Sequence, residues 1–500
     1  MATDRTARIF FSILCACALT GKAAAAPWID PGDEQLRHHI EVLADAGVIR
    51  SPITTWPIMW GAVSRDLEQV KDQPLDDATL WSLAYVRFAL NRASEPVNLT
   101  AYAGGRSDPA AIADFGSDQR EQNEARGEAD WVGEDLAARL RLAWVPDATD
   151  GKDYRYDGSY VAGLLGNWSL SAGAIDRWWG PGWQSSLNLS TSARPVNSVQ
   201  LQRNFSDPFE TRWLSWIGPW TLTLFAGQLE SERAVPDAKL LGARLAFKPF
   251  SALELGFARN AQWGGEGRPQ DWDSLWDLVV GNDNGDDDGY DPVADPANDP
   301  SNQLGAVDLR WSFPLLQTRS AFYLQYTGED ESNGFPSRGM DLAGIETAFA
   351  SRNLFHRVAL EYVNSTAGAH NDPRPNTAYE HSVYLSGYRY RSRPIGASFD
   401  NDTRALTLMG DHYFTDGDQI SWRIIQIALN RDGTNRNNGW GGSVFAAEAV
   451  DTLLLQASYS IVIKNFKIST SVYNVGKEII WNDESINGTG AGLAVEYRFQ

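Results

Sequence analysis

The stretch NWSLSAGAIDRWWGPGWQSSLNLSTSARP, residues 167–195, decides how this chain is read. From Asn167 to Ile175, Trp168, Leu170, Ala172 and Ala174 alternate with Asn167, Ser169, Ser171 and Gly173. Arg177, Trp178 and Trp179 follow, then the breaker Gly180-Pro181-Gly182. After Trp183 a second alternation sets Leu187, Leu189 and Thr191 against Ser186, Asn188 and Ser190. This predicts a β-hairpin with one apolar face, one hydroxyl- and amide-bearing face, and large aromatics at its end. A soluble sheet packed on a core also alternates with period two. Interfacial aromatics repeated down the chain point instead to transmembrane barrel strands, with lipid outside and water inside.

The pattern recurs outward from there. Residues 139–145, 160–165, 221–229, 240–247, 253–259, 321–326, 356–363, 453–463 and 466–473 all read as strands. Leu453, Leu455, Ala457, Tyr459, Ile461 and Ile463 alternate over the ~9–11 residues that a tilted strand needs to cross a bilayer. At roughly 22 residues per strand and connection, about 400 residues give approximately 18 strands. Connections alternate in length as barrel turns do: 248–249 short, 260–303 long, 314–317 short, 327–341 long, 351–353 short, 365–379 long. Beyond Arg391 the parity breaks, because 391–403 reads neither as a strand nor as a short turn. The last strand, 491–499, ends on Phe499, close to the terminal aromatic read by the barrel-insertion machinery, with Gln500 as a departure.

Residues 1–25 read as a secretory signal peptide: Arg5 and Arg8, an apolar run from Ile9 to Leu19, then Ala23 to Ala26 with the cut after Ala25. A lipoprotein signal around Leu14-Cys15-Ala16-Cys17 is the rival reading, and Cys15 sits poorly in it. Both cysteines lie in that leader, so a processed chain has no thiol and no disulfide. Losing the leader takes three basic residues and one acidic one, moving the net charge from −21 to −23. So acidic a chain is a poor nucleic-acid binder. No apolar run of 18 or more follows the leader. A mean hydropathy of −0.35 is compatible with a barrel, where only alternate residues need be apolar.

Residues 26–95 differ in period and predict a small helical domain before the barrel of 96–500. Asp30 reads as an N-cap with Pro31 at the first helical position, and Leu36, Ile40 and Leu43 recur before Gly47. A second helix is predicted over 60–70. A third starts at Asp76 and carries Leu80, Leu83 and Phe88. His38 and His39 point two ways on a helix and are expected at the surface.

The run RWWGPGW (177–183) followed by SLNLSTSARPV (186–196) resembles the Wzi family of outer-membrane capsule-assembly proteins. The likeness continues through 213–249, LELGFARNAQWGGEGRP (253–269), NQLGAVDLRWS (302–312) and the head segment LRHHIEVLADAGVIRSPITTWP (36–57). It implies a closed barrel of 18 strands, a helical N-terminal domain on the periplasmic side, and a surface lectin for exported polysaccharide.

Two candidate sites stand out. Arg177, Trp178, Trp179, Trp183 and Arg194 could form a sugar platform, with rings stacked on pyranose faces and guanidinium groups paired with carboxylates. The competing reading is an interfacial belt, to which Trp213, Trp216 and Trp220 are assigned outright. In GNDNGDDDGYDPVADPANDP (281–300), Asn284, Asp286, Asp288 and Asp295 approximate the spacing of a calcium loop of weak affinity. A plain solvated acidic loop is the alternative there. Catalysis has little support and a barrel enzyme is only the third reading, since neither G-x-S-x-G nor H-E-x-x-H occurs and the six histidines form no evident triad. The sequence therefore predicts a mainly β, closed antiparallel transmembrane barrel of about 18 strands in the bacterial outer membrane. It is non-enzymatic, without a cofactor beyond weak calcium, and its partners are capsular or other exported polysaccharide, outer-membrane lipid and the insertion machinery. A sugar porin is the alternative.

Overall fold

The computed structural model describes residues 26–70, 75–280, 301–315, 318–332, 335–369, 371–434, 439–440, 442–445 and 448–499. Three helices come first: α1 (Glu34–Asp45), α2 (Trp60–Glu68) and α3 (Asp77–Ala93). Eighteen long antiparallel strands then close a barrel. They are β1 (Val97–Arg106), β2 (Asn123–Val132), β3 (Leu136–Trp144), β4 (Tyr160–Leu165), β5 (Trp168–Ala174) and β6 (Asn197–Arg203). Next come β7 (Trp220–Gln228), β8 (Lys239–Phe250), β9 (Leu253–Trp263), β10 (Ser301–Leu315), β11 (Thr318–Ser332) and β12 (Phe335–Ser351). The set ends with β13 (Leu354–Asn364), β14 (Arg404–Phe414), β15 (Gln419–Leu429), β16 (Val450–Ile463), β17 (Phe466–Trp481) and β18 (Glu484–Arg498). A fourth helix, α4 (Trp272–Val280), interrupts the β9–β10 connection. Each strand pairs with its neighbour in sequence, and β18 closes on β1 with Arg498 opposite Thr100.

The alternation works as the sequence predicts. On β5, Ser169 and Ser171 are buried in the bore while Leu170 is 44 % exposed on the outer wall. On β16, Leu453, Leu455 and Tyr459 line the same outer surface, as does Leu493 on β18. Among the described residues closure leaves no unpaired edge, which lipid would not tolerate. The described connections at one end are short (133–135, 166–167, 251–252, 352–353, 415–418, 464–465), except for 204–219 between β6 and β7.

Several expectations are corrected. The organising stretch is half of a hairpin: β5 is its first arm, but β5 pairs with β4 and with β6, and 187–191 is not a barrel strand. Every residue from Arg177 to Val196 is buried, because this connection folds into the bore. The expected outer loop 327–341 is mostly strand, since β11 and β12 run on to Ser332 and Phe335. The parity break after Arg391 disappears, because 365–403 is one inward-folding connection between β13 and β14.

The helix expectations shift as well. Asp33, not Asp30, caps α1, accepting from Leu36 N at 2.9 Å. Gly32 at φ +112° keeps Pro31-Gly32 in a turn, and Asp30 instead accepts from Trp28 Nε1 and pairs with Arg139 of β3. His38 and His39 are buried rather than at the surface, with His39 Nδ1 at 3.0 Å from Ser82 Oγ of α3. On α3, Leu83 and Val86 face the core, whereas Leu80 and Phe88 point outward.

Candidate functional site

The bore is filled by the protein's own chain, held by polar side chains of the wall. Glu361 of β13 accepts from Trp183 N at 2.8 Å, Ser185 N at 2.9 Å and Tyr323 Oη at 2.9 Å. Gln325 of β11 donates to Trp179 O at 2.8 Å and accepts from Leu187 N at 2.9 Å. Two strands away, Glu254 of β9 accepts from Thr54 N at 2.8 Å and Thr54 Oγ1 at 2.7 Å. Arg244 of β8 reaches Thr55 Oγ1 at 2.8 Å while both its terminal nitrogens hold Asp308 of β10, at 2.6 and 2.9 Å. A segment that crosses a barrel interior must satisfy its backbone somewhere, and these wall residues supply the partners.

The helices lock onto the same segment from the short-turn end. Arg37 of α1 donates to Gly182 O at 3.0 Å and Pro181 O at 2.7 Å. Trp178 Nε1 shares the Gly182 carbonyl at 3.0 Å. Gly182 has no room for a side chain, since a Cβ there would lie 2.1 Å from Ser185 O. Trp183 is sandwiched, with Arg37 4.0 Å and Arg357 3.6 Å from its ring centre. Trp178 and Trp179 pair with Trp56 and Thr55 as a short antiparallel bridge inside the barrel. From the other end the 365–403 connection descends: Tyr379 Oη donates to Leu187 O at 2.5 Å, and Ser190 N donates to Ile395 O at 2.8 Å. Arg389 forks onto Asp400 at 2.8 and 2.7 Å and holds that connection in shape.

The five residues expected to form a sugar platform are thus turned inward. Trp178, Trp179 and Trp183 are at most 1 % exposed, Arg177 5 % and Arg194 9 %. Arg177 donates to Gln200 Oε1 at 2.7 Å, Ser198 Oγ at 2.8 Å and Ile175 O at 3.1 Å, and lies 4.2 Å above the Phe225 ring. Arg194 is neutralised by Asp157 at 2.8 Å through two bonds and by Asp150 at 2.6 Å. None of the five presents a face that a polysaccharide could touch in this conformation. Asn284, Asp286, Asp288 and Asp295 lie outside the described residues.

Trp213 and Trp216, assigned to the belt, are 86 % and 62 % exposed in the β6–β7 connection. Trp216 meets Phe247 edge-on at 6.2 Å. At the end opposite the short turns, Trp144 and Tyr154 are a cross-strand pair whose rings both point outward. The residues that sequence reasoning passed over are Trp272 and Trp276 of α4, 83 % and 64 % exposed in the long β9–β10 connection. Their signal was present: an i, i+4 aromatic pair behind Asp271, whose side chain caps the helix by accepting from Ser274 N at 2.8 Å.

A sequence model of the family described as capsule assembly protein Wzi matches residues 92–493. A Klebsiella pneumoniae protein, described as an uncharacterized 55.8 kDa protein in the cps region, is 33 % identical over 347 residues. That match takes in 68 % of this chain and 66 % of the relative's length. The solved structure of Escherichia coli Wzi, described as an outer-membrane protein involved in group 1 capsule assembly and a carbohydrate-binding β-barrel, superposes with a TM-score of 0.81. It is 27 % identical and aligns over 95 % of this chain and 100 % of that one. The outer membrane protein OprD from Pseudomonas aeruginosa is much more distant, at 12 % identity and a TM-score of 0.43 over 81 % of this chain and 94 % of that one.

Proposed function

We propose, from the premise that this chain belongs to the capsule assembly protein Wzi family, that it holds exported polysaccharide at the cell surface and supports capsule assembly without conducting solute. The observation that carries the non-conducting half is the filled bore, with Glu361, Gln325, Glu254 and Arg244 spending their hydrogen bonds on the protein's own backbone and side chains. A porin needs those groups facing water. The binding half rests on the family and on the E. coli Wzi likeness, and the glycan then meets the outer ends of the connections rather than the buried tryptophans. The family is one of capsule assembly and not of enzymes, and this chain is read as non-enzymatic. It reaches the outer membrane as a barrel, with residues 1–25 acting as its export leader.

The test is a null strain complemented with this chain. Restored cell-bound capsule, together with no steady conductance from purified protein in planar bilayers, is the expected result. Free polysaccharide in the medium at null-strain levels, or persistent ohmic conductance, would overturn it.

A further inference from the structure

We infer that the exposed face of α4, built from Trp272 and Trp276 with Asp273 and Asp277 beside them, is a contact site for the exported glycan and selects neutral over acidic sugar faces. This rests on the polysaccharide-binding reading above and names residues for it. Trp272 and Trp276 are one turn apart, so their rings present an aromatic strip of about 5–6 Å, the length of one pyranose ring. The aromatics of the bore (Trp178, Trp179, Trp183, Tyr379, Tyr388) are buried, whereas Trp272 is 83 % and Trp276 64 % exposed. The helix is anchored: Asp271 caps it, and Leu278 is buried on the opposite side. Apolar ring faces with a few convergent polar groups are what recognition of a hydroxyl-rich ligand requires, and Asp273 and Asp277 are acceptors for sugar hydroxyls.

Lipid is the rival occupant. Val279 is also exposed, and its carbonyl accepts from Arg259 Nη1 at 3.2 Å, on the outward row of β9 that carries Phe257. Charge decides between the two. From Asp271 to Val280 the helix carries three aspartates and no Lys or Arg, whereas helices that lie on membrane surfaces carry Lys and Arg on their polar face. Carboxylates beside the rings repel an anionic leaflet and an acidic glycan alike, and leave neutral sugar faces as the fitting ligand.

The experiment uses the full-length protein in nanodiscs and capsular polysaccharide purified from the encoding strain, with dextran and a uronate-rich polysaccharide as comparison probes. Wild type, W272A/W276A and D273K/D277K are compared, with heat-modifiable migration as the folding control. W272A/W276A is expected to weaken binding about tenfold or more at unchanged folding. D273K/D277K is expected to gain affinity for the uronate-rich probe. Wild-type binding that survives in W272A/W276A overturns the α4 assignment and leaves the polysaccharide reading standing. No binding by wild type to any probe overturns both. Quenching by brominated lipid that falls when W272F/W276F replaces wild type places the rings in the membrane and also overturns the assignment.

Discussion

Arg310 and Asp45 join by two parallel hydrogen bonds, 2.6 and 2.9 Å, across 265 residues of chain. Asp45 ends α1 and Arg310 points inward from β10, so the pair fixes the helices to the barrel wall. Arg310 also reaches Glu346 of β12 at 3.0 Å. Arg423 of β15 repeats the arrangement on the other side, holding Glu34 at 2.6 Å and Asp411 at 2.8 Å. The first expected outcome follows. Removing one partner of a buried pair costs about 3–5 kcal/mol when the charge left behind is uncompensated, and less here because Glu346 stays against Arg310. D45A is therefore expected to free α1–α3 for proteolysis in folded barrels, while wild type resists. D45A as resistant as wild type would show that the pair does not hold the helices.

The clamp on the inward segment makes a second prediction. In E361A, Trp183 N and Ser185 N lose their acceptor, each at about 1–3 kcal/mol, and Tyr323 Oη loses one too. Intermittent conductance steps should appear in planar bilayers where wild type is silent. E361Q keeps one acceptor oxygen and is expected to fall between the two. A silent E361A would mean that Gln325 and the 365–403 connection suffice to keep the bore shut.

Arg177 gives a third. As a polysaccharide ligand, Arg177→Ala would lose retained capsule from cells with normal barrel levels. As the buried support seen here, it loses three hydrogen bonds and its stack on Phe225, so folded barrel and retained capsule should fall together. Arg177→Lys is expected to behave similarly, since an ammonium lacks the planar fork whose three nitrogens reach Gln200, Ile175 and Ser198. Quantifying heat-modifiable protein and cell-bound polysaccharide in the same strains separates the two.

The wall was legible in the sequence because lipid imposes period two on every strand, and Leu453 through Ile463 or Leu170 between two serines can satisfy it in one way only. The plug was not. Residues 177–196 are surrounded on all sides, so no face must be apolar, and the alternation of Leu187 and Leu189 with Ser186 and Asn188 arises from packing within the bore. That accidental period was read as a strand. The 365–403 connection was hidden too: Arg393 to Thr403 are all buried, although Pro394, Gly396, Ser398, Asp400, Asn401 and Asp402 give them the composition of a solvated loop. His38-His39 was misplaced because a helix inside a polar barrel has no solvent face. The tryptophans of RWWGPGW stood out by residue type, yet type alone does not say whether a ring faces sugar, lipid or its own chain. Asp273 and Trp276, in the long 260–303 connection, carried the weaker signal and the greater exposure.

The last prediction concerns pH. Burial drives the His39 imidazole well below its ordinary value of 6.5, with neighbouring His38 adding to the effect. In the unfolded chain His39 takes up a proton below about pH 6.5, while in the folded chain it stays neutral. Above pH 6.5 both states are neutral and nothing is lost. As pH falls through 6.5 the unfolded state binds the extra proton, and stability drops by up to about 1.4 kcal/mol per pH unit. Glu34 and Glu41, raised by burial to about 7, act in the opposite sense, but they are common to wild type and variant and so cancel in a comparison. H39Q stays uncharged and keeps a hydrogen-bonding group near Ser82. Between pH 7.5 and 5.5 its denaturation midpoint should therefore fall less than that of wild type, by about 1 kcal/mol when converted to free energy. Parallel pH profiles for the two proteins would show that His39 is already solvated in the folded state, and that α1 sits less deeply against α3 than Ser82 and Tyr85 imply.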